Sequence, residues 1–242
     1  MTPLERYLRR LEQRSNLTDE EREGVLALPF DLVSRAARYD LVRPGQRVEA
    51  ACLVVDGMAG RFEQFGDGGR RTTALYIAGD MCDLHSVAIP TAGWGINALA
   101  DATIALVPHR ALKDVADRYP AVARAFWRDT VVDAAVLSKW VGVLSRLPAR
   151  ERIAHLLCEL MVRFDVAGLR AGDRIDLALT QEQVGEMLGI SAVHVQRIVR
   201  NLRSEGKITT GRGAIRIEDV VALRRMSEFD DQYLLLETHQ RM

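Results

Sequence analysis

In the run LTQEQVGEMLGISAVHVQRIVRNLR, Leu179 to Arg203, arginines recur every three residues at Arg197, Arg200 and Arg203, and Lys207, Arg212 and Arg216 follow. Between Ser191 and Ile217 the single acidic residue is Glu205. Cations gathered in this way neutralise phosphates, and a guanidinium aimed at a base edge reads guanine through two parallel hydrogen bonds. The whole chain carries 33 basic and 33 acidic side chains, so this attraction is local and no global charge draws the protein to nucleic acid or to a membrane surface.

Other chemistries lack their residue sets. Cys52, Cys82 and Cys158 are odd in number and far apart, without the CxxC or Cys/His spacing of zinc or iron–sulfur sites, so buried thiols are expected. A metal oxygenase built on a small β fold needs clustered histidines and a carboxylate. Asp83 and His85 are neighbours, but His109 is the only further histidine of that region and no HxH pair occurs. No GxSxG run or Cys/His context offers a nucleophile. Neither an enzyme nor a bound cofactor or metal is expected. The first 24 residues are highly charged from Glu5 onward, unlike a signal sequence, and no later apolar run reaches the length of a membrane span. A cytoplasmic protein without a membrane partner is the expectation.

The basic residues need elements to hold them. Thr180 is a natural helix N-cap, and Gln183 completes a capping box. Val184, Met187 and Leu188 give that helix an inward face before Gly189 ends it. Ser191 can cap a second helix with Val195, Ile198, Val199 and Leu202 inward, and Gly206 can stop it. Two short helices around a tight turn form a helix-turn-helix, and a small residue, Gly185, lets them cross closely. The segment after Gly206 reads as strand, turn and strand with TGRGA at its tip, the wing of a winged helix. His194, Gln196 and Arg197 are expected at base edges, with Ser191, Thr180 and Gln181 on backbone phosphates. Ala192, Arg200 and Arg212 complete the expected interface.

Upstream, 242 residues of which 48% are apolar suffice for one large domain or two ordinary ones. Two short helical patterns fill residues 1–30. Brief apolar runs separated by Gly and Pro turns follow, predicting an antiparallel β-roll over 31–117 with FGDGGR as a hairpin tip. A long helix is expected over 118–148, closed by Pro148. Apolar residues fall on two of its faces, one seam running through Phe126, Leu137, Trp140, Leu144 and Leu147, and both faces must be buried. One would cover the roll and the other would meet a second copy, with Phe126, Leu137, Trp140, Val141 and Leu144 as the expected dimer contacts. Asp133 interrupts a strict heptad, and a core helix of a monomer is the competing reading. The winged helix is expected over 149–227 and a tail over 228–242. The class is α+β.

This order, with ARERIAHLL, LTQEQVGEMLGIS and VHVQRIVRNLRSEGKI, resembles the Crp/Fnr superfamily of bacterial transcription regulators over roughly Asp31 to Ser227. The resemblance implies a cyclic-nucleotide-binding-like roll, a homodimer joined along the long helix, a pseudo-palindromic operator in double-stranded DNA and contact with RNA polymerase. It also implies a small-molecule effector site around Gly79, Asp80, Cys82, Asp83 and Leu84. The sequence departs from the cyclic-nucleotide pattern there: Asp83 stands where Glu is usual, and Ala92 and Gly93 fall near the usual Arg-Ser pair. No Lys or Arg lies between Arg71 and Arg110, so a buried phosphate would lack its partner and cyclic AMP is not expected. The N-terminal cysteine group of iron–sulfur relatives is missing. Haem sensing through His85 or His109 and redox sensing through Cys82 are the alternatives. Ala192 and Val193 replace polar residues that many relatives use to read bases, so the operator is expected to differ. A rival class is a scaffold with a protein-binding winged helix, against which the basic wing argues.

Overall fold

The computed structural model describes residues 1–170, 174–175, 177, 179–211 and 213–236. They form two compact units, one of residues 1–134 joined by Leu235 and Leu236, the other Ala135–Leu234. Both mix helices with antiparallel strands, as the α+β expectation requires.

In the first unit, Thr2 and Thr18 cap α1 (Pro3–Glu12) and α2 (Asp19–Leu26) through reciprocal boxes with Glu5 and Glu21. Leu4, Tyr7, Leu8 and Leu11 recur at helical spacing and are buried. They share a core with Leu53, Met81, Leu84, Leu112 and Phe126, so this helical segment packs as a wall of the roll. The roll consists of β1 (Asp31–Arg35), β2 (Asp40–Val42), β3 (Ala50–Asp56), β4 (Met58–Gln64), β5 (Arg70–Ile77), β6 (Gly95–Ala98) and β7 (Ala102–Pro108). They pair as two antiparallel sheets, β1-β7-β3 and β2-β6-β4-β5. The β4–β5 tip is the expected FGDGGR turn, closed by the Phe65 N–H to Gly69 O bond of 2.8 Å with Gly68 at φ +81°. α3 (His109–Arg118) and the first part of α4 (Pro120–Arg146) complete the unit.

The second unit begins with the rest of α4, which Pro148 separates from α5 (Ala149–Val166). β8 (Arg174–Ile175), α6 (Gln181–Leu188), α7 (Ala192–Ser204), β9 (Ile208–Gly211), β10 (Ala214–Ile217) and α8 (Val220–Met226) follow, with strands in the order β8-β10-β9. The tail is not loose over Phe229–Leu234. Tyr233 donates to Glu159 Oε2 at 2.8 Å and its ring stacks on His155, while Phe229 meets the same imidazole edge-on. Burial holds that imidazole neutral, its pKa pulled down to about 4.

Candidate nucleic-acid interface

Local rules place each end of the two-helix motif. The Gln183 N–H donates to Thr180 Oγ1 at 3.2 Å, and the Thr180 N–H donates to Gln183 Oε1 at 2.8 Å. Gly189 takes the left-handed conformation that ends α6, at φ +68°. Ser191 Oγ accepts from the His194 N–H at 3.2 Å and opens α7. Between the helices Gly185 is indispensable, because a Cβ there would stand 2.5 Å from the Ile190 carbonyl oxygen. Gly206, at φ +71°, ends α7 with its N–H on Arg203 O and the Lys207 N–H on Leu202 O.

Val195, Ile198 and Leu202 bury one side of α7. The opposite side presents Val193, Gln196, Arg197 and Arg200 to solvent, with Arg203 one turn on. Thr180, Gln181 and Ser191 are exposed at the two helix N-termini, where unpaired backbone N–H groups favour anions. Ala192 and His194 are half-buried. Gln181, Gln196, Arg200 and Arg203 rim a half-open groove of about 370 Å³ whose far wall is the wing at Thr210, Gly211 and Gly213. The structure therefore gathers Gln181, Gln196 and Arg200 on one concave surface, with Arg197 on the same exposed face of α7. Arg212 lies outside the described residues. Among the described residues no carboxylate engages Arg197, Arg200, Arg203 or Arg216, whereas Glu205 accepts from both Arg150 Nη2 and Lys207 Nζ. The Lys207 contact holds that carboxyl below its ordinary range. The one acidic side chain of the stretch is thus neutralised, and what faces solvent is positive and able to bind phosphate.

The expected effector residues belong to the interior of the first unit. Gly79, Asp80, Cys82, Asp83 and Leu84 are all buried. Gly79, at φ +98°, is pressed by Arg6, whose Cγ would stand 2.8 Å from an added Cβ. Arg10 of α1 bridges Asp80 Oδ1 at 2.5 Å and Asp129 Oδ1 of α4 at 2.7 Å. Asp83 accepts from the Cys52 N–H at 2.6 Å, and burial pushes its carboxyl up to about 6. These five residues are therefore interior, with Arg6 and Arg10 of α1 lying against the turn at Gly79 and Asp80. The sequence reading missed Arg61, which enters from β4, stacks 4.4 Å from the Trp94 ring and donates to Tyr76 Oη and Asp133 Oδ2. Its signal was an arginine amid the buried half of a strand, MAGRF, upstream of Arg71.

The alternatives fare poorly on chemistry. His85 packs on Trp94, its pKa pulled down to about 4 by burial and then by Arg61, and His109 Nε2 is 2.7 Å from Ser86 Oγ. Burial pushes the Cys82 thiol well above its ordinary value, which suppresses the reactive thiolate. Among the described residues no group of three His, Cys, Asp or Glu side chains is placed to hold a metal, and no helix is long and apolar enough to cross a membrane.

On α4 the expected dimer contacts separate. Phe126 is 8% exposed and stacked on Tyr7, and Trp140 is 8% exposed with its indole N–H on Glu159 Oε2 at 2.9 Å. Both rings make these contacts within their own unit. Leu137 is half-buried, and Val141 and Leu144 are exposed. Trp127, 71% exposed, and Val131, 45% exposed, lie outside the seam read in the sequence. The spacing Trp127, Val131, Ala134, Ser138, Val141 alternates four and three residues and was readable, but its two small members hid it.

Residues 151–226 match the family model of the Crp-like helix-turn-helix domain. The chain is 25% identical to the transcriptional activator protein FnrL of Cereibacter sphaeroides, over 72% of this chain and 71% of that one. It is 23% identical to the transcriptional activator protein anr of Pseudomonas aeruginosa, over 76% and 75%. Its fold matches the structure of FixK2 from Bradyrhizobium japonicum with a TM-score of 0.76 at 23% identity, covering 84% of this chain and all of that one.

Proposed function

We propose that this chain, a transcriptional regulator of the Crp/Fnr type with a DNA-binding helix-turn-helix, grips a pseudo-palindromic operator as a homodimer, one α7 in the major groove of each half-site. The observation that carries the reading is the exposed Gln196–Arg197–Arg200 face beside the wing, with Glu205 already neutralised. Arg197 reads guanine and Gln196 reads adenine, while Thr180, Gln181, Ser191, Arg200 and Arg212 hold the backbone. His194 and Ala192, half-buried, shape the fit of the first turn rather than lead the readout. The second copy docks along the outer face of α4, on Trp127 and Val131 and on Val141 and Leu144, since a stripe of such residues left in water is a protein-contact surface. A two-fold protein then demands a two-fold operator.

Two relatives carry the name transcriptional activator, and by analogy the bound dimer contacts RNA polymerase in the cytoplasm. Cyclic AMP is not its effector. Arg10 and Arg61 of the roll are held by Asp80, Asp129, Asp133 and Tyr76, so a phosphate recruiting either of them must compete with an ion pair already made. Any small-molecule effector therefore differs from a cyclic nucleotide in chemistry or in site.

The experiment is a mobility-shift titration of the full chain on genomic fragments from 50 to 200 mM salt. Six to ten phosphate contacts per dimer predict a loss of roughly 10³- to 10⁵-fold in affinity over that range. Affinity that is insensitive to salt, or equal for every fragment at all salt concentrations, overturns the reading.

A further inference from the structure

We propose that Val193 is a base-reading residue and that it recognises the 5-methyl group of a thymine in the operator half-site. This inference rests on the operator reading above and adds a contact to it. Val193 is the second residue of α7 and is 75% exposed, the most exposed large apolar side chain among the described residues. It shares one face with Gln196, Arg197 and Arg200 at the three- and four-residue steps of a helix, opposite the buried Val195, Ile198 and Leu202.

Folding gives valine no reason to be there. It is a poorer helix former than the straight-chain residues, it gains nothing from burial while it faces water, and the first turn of a helix favours acidic side chains. The position is nonetheless suited to a rigid apolar contact. A β-branched side chain in a helix is held close to one rotamer, so its methyl groups are aimed before any partner arrives. The N-terminal turn of such a helix is the part that reaches base edges in the major groove. The only apolar group that any base pair offers there is the thymine methyl. The neighbours fix the setting, because Arg197 and Arg200, one and two turns on, draw the phosphates of a duplex and leave no other class of partner so well matched in charge. Where an acidic side chain would accept a hydrogen bond from cytosine, valine accepts none and favours the methyl-bearing base instead.

The test removes the methyl alone. An operator enriched by the full chain from a random duplex library is resynthesised with deoxyuridine in place of one thymine at a time, and affinities are measured for wild type, Val193→Ala and Arg197→Ala. Loss of a contact the size of one methyl group is about fourfold in Kd. The expected result is one thymine per half-site at which deoxyuridine weakens wild type about fourfold and leaves Val193→Ala unchanged, while Arg197→Ala still feels the substitution. Val193→Ala changes only a solvated side chain, so its fold is kept and the comparison is clean. If deoxyuridine is silent at every position, or weakens Val193→Ala as much as wild type, the proposal is overturned while salt-dependent operator binding stands. If the chain enriches no duplex at all, the operator reading fails and takes this one with it.

Discussion

Substituting Gly185 with Ala tests whether the two helices of the reading head are held by close backbone approach. The added Cβ would stand 2.5 Å from the Ile190 carbonyl oxygen, and ordinary contact begins near 3.4 Å, so the turn must retreat by close to an ångström. The obstacle is backbone rather than a flexible side chain, and it also carries the Ile190 N–H to Gly185 O bond of 3.0 Å. Overpacking of this kind costs about 1 to 3 kcal/mol. Alanine's better helix propensity returns about 1 kcal/mol of that, for a net loss of up to about 2 kcal/mol. Because the chain has two units, the loss belongs to local opening of the second and is measured by hydrogen exchange of peptides spanning α6 and α7. Operator affinity should fall with it, since Ser191 and the start of α7 move with the turn. Gly142 provides the contrast. It lies inside α4 with nothing within 4 Å of its added Cβ, so Gly142→Ala should stabilise by about 1 kcal/mol. If Gly185→Ala leaves exchange protection and DNA affinity at wild-type values, the close-crossing account is wrong.

Arg197→Ala should flatten discrimination at one base pair by about 1 to 3 kcal/mol, while Arg216→Ala, on the exposed wing, should weaken all duplexes alike and lower the salt slope by about one; a binding matrix at several salt concentrations separates them. Val131→Asp with Val141→Asp places carboxylates on the outer face of α4 and should give monomers in sedimentation, whereas Trp140→Phe, which breaks only the internal bond to Glu159, should leave the oligomer intact. Asp83 has its carboxyl raised by burial to about 6 from an ordinary 3.8, so the folded chain holds that proton more tightly than the unfolded chain does. Its stabilising contribution is complete below pH 3.8 and disappears as pH rises through about 6, a swing of roughly 3 kcal/mol. Asp83→Asn keeps an acceptor for the Cys52 N–H and removes the charge, so it should raise the melting temperature of the first unit more at pH 7.5 than at pH 5; an equal shift at both contradicts the burial argument.

The reading head was legible because its rules are local. Caps at Thr180 and Ser191, stops at Gly189 and Gly206, and the phase of Val195, Ile198 and Leu202 each act within a few residues of chain. What escaped depends on long-range packing. No spacing rule announces that Arg10 reaches Asp80 and Asp129, 70 and 119 positions away, or that Arg61 turns inward from β4 to Asp133. The first of those ion pairs joins Asp80, within the stretch the sequence alone marked for a ligand, to α1. On α4 a period of 3.5 fits several adjacent stripes when apolar residues occupy two faces, so phase alone could not distinguish the stripe buried with Tyr7 from the one bearing Trp127. The tail was opaque for a similar reason: Phe229 and Tyr233 acquire their roles only once His155 and Glu159 are beside them.

Operator selection from a random duplex library, with the stoichiometry of the enriched complex determined by native mass spectrometry, bears most directly on the central claim. Two chains per duplex, on inverted half-sites whose centres lie about one helical turn apart or a multiple of it, are predicted by a two-fold reading head. One chain per duplex, or enriched sequences without inverted symmetry, would contradict it.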